Sequence, residues 1–211
     1  MNPFEKILVY FRRLRYPGSR LYWEQRYARG GNSGAGSSGL LAAYKAAVVN
    51  HFVETQGITS ILELGCGDGT QLRLAQYPDY LGLDTSPSAV AHCQAVFAED
   101  HRKKFALYEP DQFKPGDFQA DMALSMEVIF HLTEENTYHL YLQHLFACAR
   151  RWVVIFSSNA EDSTQSSFPH FKQRRFLPDI PPGWTLQQQL VNPHAAISVS
   201  EFFIFEKTNG G

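Results

Sequence analysis

Apolar positions along the chain change their period repeatedly, and the changes mark out alternating strands and helices. Residues 60–64 form a short apolar run that stops at glycine, as a strand buried on both faces does. Residues 80–84, 105–108, 122–126 and 152–157 read as further strands. Between the strands, Leu41, Tyr44, Val48 and Phe52 recur at helical spacing over residues 40–55, and Gly57 supplies the stop. Residues 70–76 have the length and periodicity to open a helix. Ser86-Pro87 sets an N-cap and first turn ahead of residues 89–97, and residues 136–150 form another helix. Such alternation predicts an α/β fold around a mostly parallel, doubly wound sheet. It breaks after residue 157: residues 158–182 are polar and hold four prolines, with a short helix expected near 171–176. Residues 184–191 and 199–207 then read as two strands close enough to pair antiparallel. Ahead of the core, residues 3–15 carry Phe4, Ile7, Leu8, Phe11 and Leu14 on one side of a helix, residues 21–28 form a second, and residues 29–39 are a loop of glycine and serine.

Chemistry enters at the end of the first strand, where glycines alternate at Gly65, Gly67 and Gly69. Glycine permits a tight turn and lets backbone N–H groups approach a ligand. Asp84 ends the next strand, nineteen residues after Gly65, where a carboxylate can accept both hydroxyls of a ribose. Thr70 stands where the dinucleotide fingerprint calls for glycine, so the pattern suits a cofactor with a ribose and no pyrophosphate.

Three segments, Glu63 to Gly69, Gly82 to Ser86 and Asp121 to Leu132, together resemble the class I S-adenosylmethionine-dependent methyltransferases. The resemblance implies a Rossmann-like, seven-stranded sheet with a reversed last strand, preceded by accessory helices, and S-adenosyl-L-methionine as cofactor. It implies that Glu63, Gly65, Gly67, Gly69, Asp84, Thr85, Asp111, Gln112, Met126 and Glu127 surround that cofactor. Asp84 would hold the ribose, Asp111 the adenine amino group, and Phe113 or Met126 the adenine face; a solvated loop residue is the alternative for Asp111. Trp23-Glu24-Gln25-Arg26-Tyr27 is similar to an element preceding the core of some small-molecule methyltransferases, which places Tyr27 and Arg26 near the cofactor. The 29–39 loop then reads either as a lid over the methionine end or as a flexible tether.

Methyl transfer leaves the acceptor side open, because a sulfonium is already an activated leaving group and a general base is needed only for some acceptors. His131 is the best-placed base, four residues after Glu127, which would orient it if the stretch turns helically; the alternative is a packing or capping histidine. His170 and Arg174 are the candidates against the substrate, Arg174 through a local basic run with Lys172 and Arg175.

The 211 residues suffice for one domain, with residues 1–57 as helices and loop of the same unit and 58–211 as the core. A net charge of −2 gives no reason to expect a nucleic-acid partner, and apolar runs stay far short of a transmembrane span. The basic end of residues 3–15 gives a weak case for peripheral membrane contact. Three cysteines without ligand spacing exclude a disulfide framework and a zinc site, so no metal is expected, and the absence of a signal-peptide pattern points to the cytoplasm. Oxygen or nitrogen of a small molecule is the expected acceptor. Methylation of RNA or protein, or cofactor binding without turnover, are the other readings; neither acceptor identity nor oligomeric state can be read from the chain.

Overall fold

The computed structural model describes residues 15–161 and 168–208, and the helix expected over residues 3–15 lies outside them except for Arg15. Five parallel strands, β1 (Ser60–Leu64), β2 (Asp79–Asp84), β3 (Lys103–Leu107), β4 (Ala120–Met126) and β5 (Ala149–Ser157), are joined by β6 (Trp184–Leu190) and β7 (Glu201–Lys207). The sheet order is β3-β2-β1-β4-β5-β7-β6. β7 runs antiparallel to both β5 and β6, so the reversed strand is internal. Chain direction across the sheet switches between β1 and β4, the place where open α/β sheets bind ligands.

Alternate strand residues feed two cores, as the period of two requires. On one face, Ile61, Met122, Leu124 and Val154 meet Val49, Phe52 and Val53 of helix α2 (Gly39–Gln56) and Val90 of α3 (Pro87–Val96). On the other, Leu62, Ala123, Val153 and Ile155 meet Tyr138, Leu142 and Leu145 of α4 (Glu135–Ala147). Each fully buried Leu or Ile contributes about 1.5–3 kcal/mol, so the two cores hold the sheet rigid beneath its loops. A further helix, α1 (Ser19–Ala28), lies against α3: the Glu24 carboxylate accepts from the Ser86 and Ser88 hydroxyls at 2.5 and 2.7 Å.

Two expected helices are absent. Residues 70–76 form only a 3-10 turn, Gln71–Leu74. A parallel crossover that includes a helix needs about a dozen residues, and the glycine turn uses up the first of those available before β2 begins. Asn50 of α2 closes the short connection, donating to the Leu74 carbonyl at 3.0 Å and accepting from the Gln76 N–H at 2.9 Å. Residues 171–176 are likewise not helical, because they bond to the neighbouring loop instead: the Lys172 N–H donates to the Phe130 carbonyl, and Arg174 to the Leu132 and Thr133 carbonyls.

Candidate functional site

The turn after β1 is fastened to β2 through the backbone. The N–H groups of Gly65 and Cys66 both donate to the Leu83 carbonyl, at 2.7 and 3.1 Å. Asp84, 7% exposed, accepts from the Gly67 N–H on one oxygen and from the Ser86 N–H on the other, both at 2.9 Å. Burial pushes its pKa above the usual carboxylate value, and those backbone donors oppose the push. Gly67 has φ +58° and no room for a side chain: a Cβ there would lie 2.5 Å from the Ser33 hydroxyl and 2.8 Å from that of Tyr27. The 29–38 loop therefore lies on this turn, held by Asp68, whose carboxylate accepts from the Ser33 N–H at 2.8 Å.

Above the turn opens a cavity of about 900 Å³, at the upper end of the roughly 300–1,000 Å³ of small-molecule sites. Gly65, Gly67, Asp84 and Thr85 form its floor, Asp111 comes from the loop after β3, Met126 ends β4, and Tyr27 comes from α1. Glu63 lies below, buried, with the Tyr80 hydroxyl donating to it at 2.6 Å; burial pushes its pKa up to about 7. Glu127 follows β4 directly with φ +59°, the one positive φ outside glycine among the described residues, and such strain clusters at functional sites. Its carboxylate pairs with Lys45 Nζ at 2.9 Å, accepts from the Ser198 hydroxyl at 3.2 Å and packs against Gly36 so closely that a Cβ there would lie 2.1 Å from Oε2.

His131 and His170 also line the cavity. The Nδ1 of His131 lies 2.8 Å from the His170 carbonyl; a carbonyl only accepts, so Nδ1 carries the proton and Nε2 keeps a lone pair. Trp23 packs edge-on against the ring at 4.8 Å, and burial lowers the pKa of His131 to about 4. Glu127 does not orient this ring. Its carboxylate is committed to Lys45 and Ser198, and the chain between them makes a 3-10 turn, Ile129–His131, in place of a helical face.

Four expected residues stand elsewhere. Gly69 permits the turn at φ +72° but faces α3, where a Cβ would lie 2.7 Å from the Phe97 ring. Gln112 is exposed and outside the cavity wall, and Phe113 stacks on Phe118 at 4.9 Å away from it. Arg174 is 7% exposed and occupied: it donates to the Leu132 and Thr133 carbonyls and to Glu135, and lies over the Tyr138 ring at 4.1 Å. It ties the 168–176 segment to α4 and does not line the cavity. Two cavity residues escape a motif search. Lys45 is a single cation in the apolar pattern of α2, its side chain 1% exposed. Gln71 donates to the Ala42 carbonyl at 3.0 Å, while its buried Oε1 has no partner in the protein.

Among the described residues, no cluster could hold a metal ion and no helix is long and apolar enough to cross a membrane. Residues 62–151 match a family model described as a methyltransferase domain. No curated protein matches the chain by sequence. Among solved structures, the N-methyltransferase NodS from Bradyrhizobium japonicum WM9, in complex with S-adenosyl-L-homocysteine, is 14% identical with a TM-score of 0.73, over 91% of this chain and 100% of that one. The magnesium protoporphyrin IX methyltransferase ChlM from Synechocystis PCC 6803 with bound S-adenosylhomocysteine is 17% identical with a TM-score of 0.64, over 90% and 98%. The [4+2]-cyclase SpnF, 13% identical with a TM-score of 0.65 over 91% and 94%, has the same fold under a different reaction name, so the reaction must be argued from the site.

Proposed function

We propose that this chain, which carries the domain of the class I S-adenosylmethionine-dependent methyltransferases, transfers a methyl group to oxygen or nitrogen of a small molecule bound in the large cavity. The observation that carries the reading is the Asp84 carboxylate. Two of its roughly four lone-pair sites are taken by the Gly67 and Ser86 N–H groups, and the residue lines the cavity, leaving acceptor capacity for a ribose diol. The unpartnered buried Gln71 Oε1, in the wall of the same cavity, suits a polar cofactor there. In this reading Asp111 accepts from the adenine amino group and Met126 covers the ring. Arg26, which lines the cavity and has no ion pair among the described residues, takes the carboxylate end with Tyr27 beside it, and Glu63 and Glu127 face the ammonium.

The bound cofactor supplies a methyl group on an activated sulfonium, so the protein's task is to align the acceptor and exclude water. His131 serves that alignment. With a pKa near 4 it is a poor proton acceptor at neutral pH, yet Nε2 can accept a hydrogen bond from an acceptor O–H or N–H and hold the nucleophile's lone pair forward. Calorimetry tests the reading: S-adenosylmethionine and S-adenosylhomocysteine bind, and nicotinamide dinucleotides do not. Strong dinucleotide binding without a response to either sulfur compound overturns it.

A further inference from the structure

A second, smaller cavity of about 320 Å³ adjoins the first and shares Ala35, Gly36, Glu127, Phe130 and Phe171 with it. Its remaining wall is different in kind. Leu41 of α2 and Ile197 and Val199 of the β6–β7 connection supply apolar surface, and Ser158, Ser198 and Ser200 supply hydroxyls. Glu127 is its one charged residue, and Lys45 already neutralises that carboxylate from the main-cavity side. Ile197 and Val199 line this second cavity and are 56% and 63% exposed. Isolated exposed apolar residues are ordinary, but here two of them continue the wall of a cavity that adjoins the main one.

Position separates this annex from the cofactor floor. The floor lies over β1 and β2, whereas the annex lies beyond the end of β4, toward Ser158 after β5 and the connection into β7. Residues assigned to a ribose or a carboxylate are on the main-cavity side, and Glu127, shared by both, is already paired with Lys45; a charged group in the annex would lose water and find no unpaired counter-charge.

We propose that the annex is the subsite for an uncharged, apolar arm of the methyl acceptor, which makes the acceptor an amphipathic small molecule with its reactive atom on the main-cavity side of Gly36 and Glu127. The proposal rests on the methyltransferase reading above and names the substrate class for the same site. An arm lying between Phe130, Phe171, Leu41 and Val199 gains affinity with each methylene it buries there, about fourfold per group, until the annex is filled.

The test uses the full chain saturated with S-adenosylhomocysteine and titrates it calorimetrically with n-alkanols from butanol to octanol. Affinity rises about fourfold per added methylene and then levels off. The double variant Ile197→Asp, Val199→Asp changes exposed positions only; it keeps its melting temperature and its affinity for S-adenosylhomocysteine and loses the dependence on chain length. A flat series in the unaltered protein, or a slope that survives in the double variant, overturns the annex while leaving methyl transfer standing. Failure to bind S-adenosylhomocysteine is a separate result: it removes the methyltransferase reading and, with it, the assignment of the arm to a methyl acceptor.

Discussion

The floor of the main cavity comes from one stretch, Glu63 to Thr85, and is fastened by hydrogen bonds from backbone N–H groups, whereas the roof is gathered from α1, the 29–38 loop, the 127–131 turn and the 168–171 segment. Most roof contacts involve a side chain: Tyr22 stacks on His170 at 4.5 Å, Trp23 meets His131, and the Ser33 N–H donates to the Asp68 carboxylate. The difference teaches where function and fold are separable. Changing a floor residue disturbs the main chain that makes the sheet, while changing a roof residue alters what the cavity accepts.

Asp84→Ala gives the largest expected effect. It removes the acceptor of two buried N–H groups, at about 1–3 kcal/mol each in stability, and lowers affinity for S-adenosylhomocysteine roughly 10- to 150-fold. Thermal denaturation and calorimetry read the two losses separately; an unchanged melting temperature would break the link between floor and fold. Arg174→Met probes a residue behind the roof, outside the cavity wall. Freed carbonyls at Leu132 and Thr133 and the lost Glu135 pair cost about 2–3 kcal/mol, while cofactor affinity and acceptor KM stay as they were. A raised KM at unchanged stability would return Arg174 to the substrate.

Floor and roof also differ in how they respond to pH. Glu63, raised by burial from 4.5 to about 7, favours the folded state fully below pH 4.5, and that contribution is lost as pH rises through 7. His131, lowered by burial from 6.5 to about 4, contributes fully above pH 6.5, and that contribution is lost as pH falls through 4. Each is worth roughly 3 kcal/mol, with opposite sign over most of the same window, so these two contributions largely offset each other. Glu63→Gln removes one arm and makes stability climb from pH 4 to 6.5; His131→Asn removes the other and makes it fall from pH 4.5 to 7. Chemical denaturation at each pH measures both slopes, and variants that keep the unaltered protein's profile would show that the two sites do not titrate this way. The smallest effect is dynamic: amides of residues 30–39 exchange about tenfold more slowly, ~1.4 kcal/mol, once S-adenosylhomocysteine binds. Equal exchange with and without ligand would make the loop a tether.

Legibility in the sequence follows the same division. The floor could be read because its parts are adjacent: glycines at fixed offsets, an acid at a strand end and an apolar run each carry a local signal. The antiparallel pair β6 and β7 was legible for the same reason, and so was the Ser86 cap, whose hydroxyl accepts from the Ala89 N–H at 3.1 Å. Partners of the roof residues lie far off in the chain. Arg174 looked available in its basic run, and only the fold brings Glu135 and the Leu132 carbonyl to it. Glu127 looked aimed at His131, and the fold supplies Lys45, 82 positions earlier, instead. Residues 70–76 have helical periodicity, but the distance to β2 overrides it.

Because β7 sits between β5 and β6, the order of synthesis differs from the order of assembly. A ribosome completes β6 before the strand it must bond to exists, and the outer edge of β5 stays open until Glu201–Lys207 emerges. That strand carries Phe202 and Ile204 into one core and Phe203 and Phe205 into the other, so a single late segment closes both faces. Until then the nascent chain displays an unpaired edge beside two incomplete apolar layers, the kind of surface that chaperones hold and proteases sample. A premature stop ahead of residue 201 would therefore produce an aggregation-prone polypeptide with its glycine turn intact, and the cell would meet it as a quality-control problem before it met it as a missing activity.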